Sequence, residues 1–573
     1  VSKSAVLEPI PGVEVAASNS IEAARANRVE GWLGGRAEIV AAAILAAGFA
    51  LRIYVAAGSY LNPDEALHFA LSHQRSLLLA YKASLTNAHP PLIYVILHFW
   101  QFLGRSELTL RLPSVLAGTA FCWILYKWVA MLFGRAAGLS ALVLAAFSPS
   151  LISLSAQVRA YAVMLFCMAG ALYFLERALR EKSVGDTWPF TAFLYLAILS
   201  HYSVAFFVFS LGVYALARII EARPSRNFIG AWIAGQAGAL AIYVFLYVTH
   251  VSQIKPSEMD MWASPHDGAF FHVGQESLLA FTLRKSGAVF RFFFLENYIY
   301  WGLLALFAAA IVLLFSGVLR PRARLTSRSW PLGLLFLLPF LAEWSASLFR
   351  VYPYTGSRQS AFLAPFVFAG IGAIFGKLSE ERIWPPLLMA GLIVLAGLAS
   401  PVRFEPYFRN ADLAPSQMTS AVNYIRETAA RNDTILVDLQ GGFLLSYYLC
   451  GPTDFYFPPA SGSQFARFGC GGYSTVSTDD HTWKLTPDNF EARFEQAAAA
   501  YNFKPGDTVW VFQSGWGANL DAELPWFAPK YRCLVSRNFG AKITVIRFVV
   551  GQDLSPALPA GSPHLSALNR CVP

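Results

Sequence analysis

Residues 201–226 read HYSVAFFVFSLGVYALARIIEARPSR. His201 and Tyr202 open the stretch, no charge follows until Arg218, and Arg223 and Arg226 come close behind. A charge-free run of this kind approaches the ~20 residues that a helix needs to cross a hydrocarbon layer. Cations crowded at one end mark the inner side of a membrane, because loops rich in Lys and Arg are retained there. The stretch therefore predicts a transmembrane helix over 202–218, with His201-Tyr202 at its outer edge and Arg218, Arg223 and Arg226 inside.

The same pattern recurs along the chain. Apolar runs fall at roughly 38–57, 111–133, 136–154, 160–177, 188–200, 202–218, 228–249, 298–318, 331–349, 359–377 and 384–400, about eleven helices. Arg25, Arg28 and Arg36 precede the first of them. Arg135, then Arg177, Arg180 and Lys182, then Arg320, Arg322, Arg324 and Arg328, then Lys377 and Arg382 occupy alternate loops. All of these land on one side, which puts the N-terminus in the cytoplasm and a C-terminal tail outside. Residues 1–35 read as a cytoplasmic N-terminal tail with no early apolar core for a cleavable signal peptide. Two outer loops are long, 58–111 and 250–297, and the first holds Leu92–Leu103, too short to span and read as interfacial or re-entrant.

Composition agrees. The 573 residues are 56% hydrophobic and 15% aromatic, and only 14% are charged, against about 25% in a soluble domain. The net charge is +9. Residues 403–573 hold 14 basic and 15 acidic side chains, so the excess lies in the membrane part. That placement fits positive-inside bias, and no basic–aromatic patch suggests nucleic acid. The chain reads as a polytopic α-helical membrane protein, residues 36–400, followed by a compact periplasmic α/β domain, residues 401–573. In that domain Gln417–Arg431 has helical periodicity, while Thr434–Asp438, Thr508–Gln513 and Ile543–Val550 suit buried strands. Cys122 and Cys167 lie in apolar runs, whereas Cys450, Cys470, Cys533 and Cys571 share the tail, an even count that suits disulfides in an oxidising compartment. Four cysteines allow three pairings.

Ionisable residues at the outer ends of the helices are the candidate chemistry, because such groups are costly in lipid and tend to face a cavity or a partner. Asn62-Pro63-Asp64-Glu65 follows the first helix. A carboxylate there could deprotonate a hydroxyl or bind a cation, although Pro followed by acids also describes an ordinary helix N-terminus. His89-Pro90-Pro91-Leu92 could supply a metal or phosphate ligand, or simply a turn, and Lys82 lies nearby to offset a negative ligand. Gln157-Val158-Arg159-Ala160-Tyr161 offers a phosphate-binding Arg, or an interfacial anchor. His201-Tyr202 and Arg358-Gln359 complete the set, and Glu343 sits inside a span, where a carboxylate should pair with an Arg or line a cavity. Acids, cations and aromatics gathered on one face suit an anionic lipid headgroup and a polar acceptor. No P-loop or G-x-G-x-x-G occurs between a strand and a helix, so a nucleotide is not indicated.

Asp64-Glu65, His89-Pro90-Pro91-Leu92 and Arg111-Leu112-Pro113-Ser114 together resemble the GT-C glycosyltransferases, more narrowly the family of bacterial aminoarabinose–lipid A transferases and protein O-mannosyltransferases. Arg159-Ala160-Tyr161, His201-Tyr202 and Arg358 stand where that family also has basic and aromatic residues. Gln359 departs from the Tyr the family carries after the late Arg. The resemblance covers most of residues 38–400. It implies a GT-C fold, a polyprenyl-phosphate-linked sugar donor, inverting transfer, and a lipid, glycan or protein acceptor at the outer face of a bacterial inner membrane. Asp64 would be the general base and Glu65 would orient it or help bind the acceptor. Lys82, His89, Arg159, Tyr161, His201, Tyr202 and Arg358 would receive the donor phosphate and lipid. Some relatives bind a divalent cation near the first loop, and here His89 or Glu65 could ligate one.

Two other readings stay open at this stage. An outer-face polysaccharide ligase or polymerase would also handle lipid-linked glycans, but with an essential Arg/His pair in a late loop and no acid. A lipid-linked sugar flippase or transporter would place its ionisable groups near the bilayer midplane, usually with internal repeats, and no repeat is visible.

Overall fold

A computed structural model describes residues 36–253, 268–294, 299–321, 328–379, 390–395, 413–450, 465–478, 484–515, 520, 531–540 and 542–551. The chain forms two compact units, one of Val1–Val55, Ala88–Ile93 and Arg111–Phe408, the other of Ala56–Asn87, Tyr94–Leu110 and Arg409–Pro573. The first outer loop therefore divides. Most of it groups with the tail, while His89-Pro90-Pro91-Leu92 groups with the membrane helices.

The first unit is helical. Among the described residues, seven helices are long and apolar enough to cross a membrane, and nine spans result if each of two bent pairs crosses once. They include Ala37–Ala57, Tyr161–Glu181, Val204–Ala222, Arg226–Thr249 and Trp330–Leu348. The protein is thus a multi-pass membrane protein with fewer full-length spans than eleven in the described residues. The run 136–154 breaks by 64° between Arg135–Ala146 and Pro149–Ser155. The cause is Pro149, which has no N–H for the helix ladder. The run 188–200 yields only the 12-residue helix Thr187–Ile198. The run 384–400 falls largely outside the described residues, as do the N-terminal 35. Within the stretch expected as loop 250–297, Leu278–Phe294 is a helix. Its charges, Arg284, Lys285 and Arg291, lower the mean hydropathy, but Phe281, Val289, Phe290, Phe292 and Phe293 are buried.

Close packing and buried polar links hold this unit. Gly372 and Gly376 face Ala137 and Ala141, and a Cβ on Gly376 would stand 2.6 Å from Ala137 Cβ. Small residues four apart let two membrane helices approach. Arg52 is 1% exposed and donates to the carbonyls of Ala146 (2.8 Å) and Gly48 (3.0 Å) and to Ser155 Oγ (3.3 Å). It satisfies carbonyls that the break at Pro149 leaves open, a requirement wherever water is absent. Arg218, read from sequence as an inner flanking charge, is buried in an ion pair with Glu176 at 3.0 Å, with Tyr214 joining both.

Among the described residues of the second unit, six strands run β1 (Thr434–Val437), β2 (Phe465–Cys470), β3 (Tyr473–Thr478), β4 (Thr508–Ser514), β5 (Tyr531–Asn538) and β6 (Ile543–Val550). Their order across the sheet is β2-β3-β1-β4-β6-β5, with β3, β1 and β4 parallel and the outer pairs antiparallel. Leu436, Val476, Val509, Val511 and Ile546 pack on Phe490, Phe494 and Ala497 of helix Pro487–Tyr501. Helix Pro415–Thr428 contributes Tyr424, whose ring meets Trp510 edge-on at 5.9 Å. The mixed α/β domain expected from the sequence is present. Cys450 and Cys470 form a disulfide, while Cys122 and Cys167 are buried and free. Nothing is described of the Cys533 side chain or of Cys571.

Candidate functional site

Asp64 belongs to the second unit. Asn62 caps helix Pro63–Ser72: its Oδ1 accepts from Glu65 N–H (3.0 Å), and Glu65 Oε2 accepts from Asn62 N–H (2.9 Å). This reciprocal capping box uses Glu65, which is 1% exposed. Asp64, one residue earlier, is half-buried and takes no part in the box. Its carbonyl accepts from His68 Nδ1 at 2.7 Å, and His68 stacks on Tyr94 at 5.2 Å.

The tail domain fixes this helix. Tyr448 OH accepts from Leu61 N–H at 2.8 Å and reaches Glu107 Oε1 at 3.0 Å. Tyr60 N–H donates to Leu413 O at 3.0 Å. Phe69 meets Tyr447 edge-on at 5.2 Å. A Cβ on Gly515 would lie 2.8 Å from Pro63 Cγ, so only glycine leaves room there. Behind the contact, Asp438 caps helix Leu439–Leu445, accepting from Gly441 N–H (2.7 Å) and Leu485 N–H (3.1 Å). Burial outweighs these bonds and pushes its carboxyl up to about 6. Lys82 is exposed on helix Leu77–Ser84 of the same unit.

The first unit gathers the cationic and aromatic candidates. His201 lies between helices Thr187–Ile198 and Val204–Ala222, 6% exposed. Its ring is 5.1 Å from Tyr161 and 5.3 Å from His89, and His89 is 6.4 Å from Tyr161. The Leu92 N–H bond to Leu199 O (3.1 Å) ties the His89 segment to this turn. Arg159, 4% exposed, holds its guanidinium 5.5 Å from the Tyr161 ring. Its carbonyl accepts from Ser114 Oγ at 3.1 Å, so the Arg111–Ser114 segment pins the Arg159 loop. Arg358 opens a 3₁₀ turn, Arg358–Leu363.

Burial foremost, then the guanidiniums of Arg159 and Arg358, hold the His201 imidazole down to about 3. Ser203 N–H donates to His201 Nδ1 at 3.2 Å, which leaves the ring proton on Nε2. The imidazole is a neutral donor in a field set by two cations, and that arrangement favours an anion. Tyr202 turns away and bonds through its hydroxyl to His250 Nδ1. Glu343 is fully buried, and its Oε1 lies 2.6 Å from Ser360 Oγ. Among the described residues no Arg forms an ion pair with it.

Of the residues singled out in the sequence, His89, Arg159, Tyr161, His201 and Arg358 come together in one cluster. Asp64, Glu65 and Lys82 lie in the other unit. The sequence reading missed Arg52, His250, Ser360 and Asp438. Arg52 was findable as the single charge inside an apolar run, whereas the others look like ordinary loop or cap residues. Among the described residues no group of three or more His, Cys, Asp or Glu side chains assembles to hold a metal ion. Glu65, one of the two suggested ligands, already serves its capping box.

Residues 88–248 match the model of the dolichyl-phosphate-mannose-protein mannosyltransferase family. No curated protein matches the chain in sequence. ArnT from Cupriavidus metallidurans, solved bound to undecaprenyl phosphate, superposes with a TM-score of 0.52 at 12% identity, covering 88% of this chain and 97% of that one. The same protein in the apo state gives 0.51 at 12% identity, covering 91% and 98%. At that identity the likeness is one of fold. The GT-C architecture expected from the sequence is the architecture found.

Proposed function

We propose that this protein is a membrane glycosyltransferase that moves a sugar from a polyprenyl-phosphate donor to a hydroxyl of a lipid, glycan or protein acceptor. The observation that carries the reading is the first-unit cluster, where Arg159 and Arg358 both act electrostatically on the neutral, Nε2-protonated His201 beside Tyr161 and His89. Two findings support it: residues 88–248 match the dolichyl-phosphate-mannose-protein mannosyltransferase family, and the fold is shared with ArnT, which has been seen with undecaprenyl phosphate bound.

In the proposed reaction the acceptor oxygen attacks the anomeric carbon from the face opposite the phosphate. The new C–O bond forms as the bond to the phosphate oxygen breaks, with inversion. The electron pair leaves with the polyprenyl phosphate. Arg159 and Arg358 meet that growing charge, and His201 Nε2–H and Tyr161 add neutral donors. Fixed donors of this kind need no reorganisation during the reaction. The acceptor proton goes to Asp64, which stands one residue before the capping-box Glu65 at the start of its helix. Glu65 holds the helix start that presents Asp64. Lys82 and Tyr202 are assigned outer roles, along the lipid phosphate or acceptor path. A nucleotide sugar is confined to the cytosol, so a lipid-carried donor fits an outer-face site, with the N-terminus cytoplasmic and the disulfide-bearing tail in the periplasm of a bacterial inner membrane.

The test is mass spectrometry of lipids and glycoconjugates from cells carrying the wild type, Asp64→Asn or Arg159→Gln. One sugar-modified product should be present with the wild type and absent with both variants. Identical product profiles in all three would overturn the reading.

A further inference from the structure

Glu343 lies within helix Trp330–Leu348 and is 0% exposed. Among the described residues its sole hydrogen-bond partner is Ser360 Oγ, 2.6 Å from Oε1, and Oε2 has none. Ser360 Oγ also sits 2.5 Å from the carbonyl oxygen of Thr355. A hydroxyl carries one hydrogen, and a carbonyl oxygen can only accept. If Ser360 gave its proton to Glu343, two bare acceptors would face each other across 2.5 Å at Thr355. The count closes in one way. Ser360 donates to Thr355 O, and Glu343 supplies the proton of its own bond to Ser360 Oγ. Among the described residues, the ionisable side chains in electrostatic contact with Glu343 are the phenols Tyr352 and Tyr354, and neither brings a positive charge. A buried carboxylate with no cation and an unpartnered oxygen is the costly alternative.

Ser360 stands in the 3₁₀ turn that begins at Arg358. Tyr352 OH holds the next carbonyl of that turn, Gln359 O, at 3.2 Å. Thr355, Ser360 and Glu343 therefore anchor the segment from which Arg358 acts on His201.

We propose that Glu343 is a neutral carboxylic acid that donates to Ser360 and so positions the Arg358 turn for a lipid phosphate without cancelling the positive field of the cluster. It is a positioning residue and touches no reacting atom. Its neutrality matters because an ionised acid at this place would oppose anion binding. The phosphate assignment rests on the proposed function, whereas the proton assignment does not.

The test uses the full-length protein in lipid nanodiscs. Infrared spectroscopy at neutral pH should show a protonated-carboxyl C=O band that disappears in Glu343→Gln. Glu343→Gln keeps an N–H to donate and should bind polyprenyl phosphate like the wild type. Glu343→Leu and Ser360→Ala should each weaken that binding on the order of tenfold, the size of one lost hydrogen bond within a charged site. Should Glu343→Leu fail to fold, Ser360→Ala carries the comparison. Absence of the band, or undiminished binding by Glu343→Leu and Ser360→Ala, overturns the proposal. If the wild type shows the band but binds no polyprenyl phosphate, the donor reading falls and the neutral acid stands.

Discussion

Replacing Asp64 by Asn should cut transfer by about 10²–10⁴, the loss expected when a general base goes. The melting temperature should stay unchanged, because Asn62 and Glu65 make the cap without Asp64. Glu65→Ala should behave in the opposite sense. It removes half of a buried capping box and should cost about 1 kcal/mol of stability, readable as a lower melting temperature in detergent. At His201 the sign of a pH effect is fixed by its surroundings. Between pH about 3 and 6.5 the unfolded chain holds a proton on this ring and the folded chain does not. Its contribution to stability is therefore complete above 6.5 and is lost as pH falls towards 3. Acid unfolding of His201→Gln should be shallower over that range than that of the wild type, and equal slopes would show that the ring titrates normally.

Helix pairing and the disulfide carry predictions of their own. Gly376→Leu has no room beside Ala137 and should separate helix Ala364–Leu378 from Arg135–Ala146. Overpacking of this kind costs typically ~1–3 kcal/mol, so loss of folded yield is the expected readout. Cys450 and Cys470 close 20 residues of chain, and removing the link by Cys450→Ala with Cys470→Ala should cost about 3 kcal/mol of tail stability. At this scale the sequence was informative where one interaction dominates. Long charge-free runs announced the spans, and β-branched runs at 434–438, 508–513 and 543–550 announced β1, β4 and β6. Helix Leu278–Phe294 was hidden, because its three cations mask an aromatic face that only packing explains. The bend at Pro149 was hidden too, since apolarity continues through it. Likewise β2 and β3, FARFGC and YSTVST, carry small and polar residues that take strand form by pairing with each other and with β1.

The two units divide the proposed catalytic residues in a way that sequence order conceals. Asp64 is carried by a helix docked on the tail domain, and the Arg159–His201–Arg358 cluster belongs to the membrane helices. Each half should therefore fail separately. Gly515 has φ +124° and follows the C-terminal end of β4, close against Pro63, the residue before Asp64. Gly515→Ala adds a Cβ 2.8 Å from the Pro63 ring and forces a strained backbone. The helix start must shift, while the sheet core behind it, led by Val509 and Val511, keeps its contacts. A displacement on the order of 1 Å at a reacting group costs about 10²-fold in rate, so kcat should fall by that order. Affinity for polyprenyl phosphate should not change, because no residue of the cation cluster is touched. Arg159→Gln should show the reverse emphasis, with weakened polyprenyl-phosphate binding and an unshifted melting profile of the tail. If Gly515→Ala weakened lipid-phosphate binding as much as Arg159→Gln does, the assignment of acceptor activation to one unit and donor binding to the other would fail.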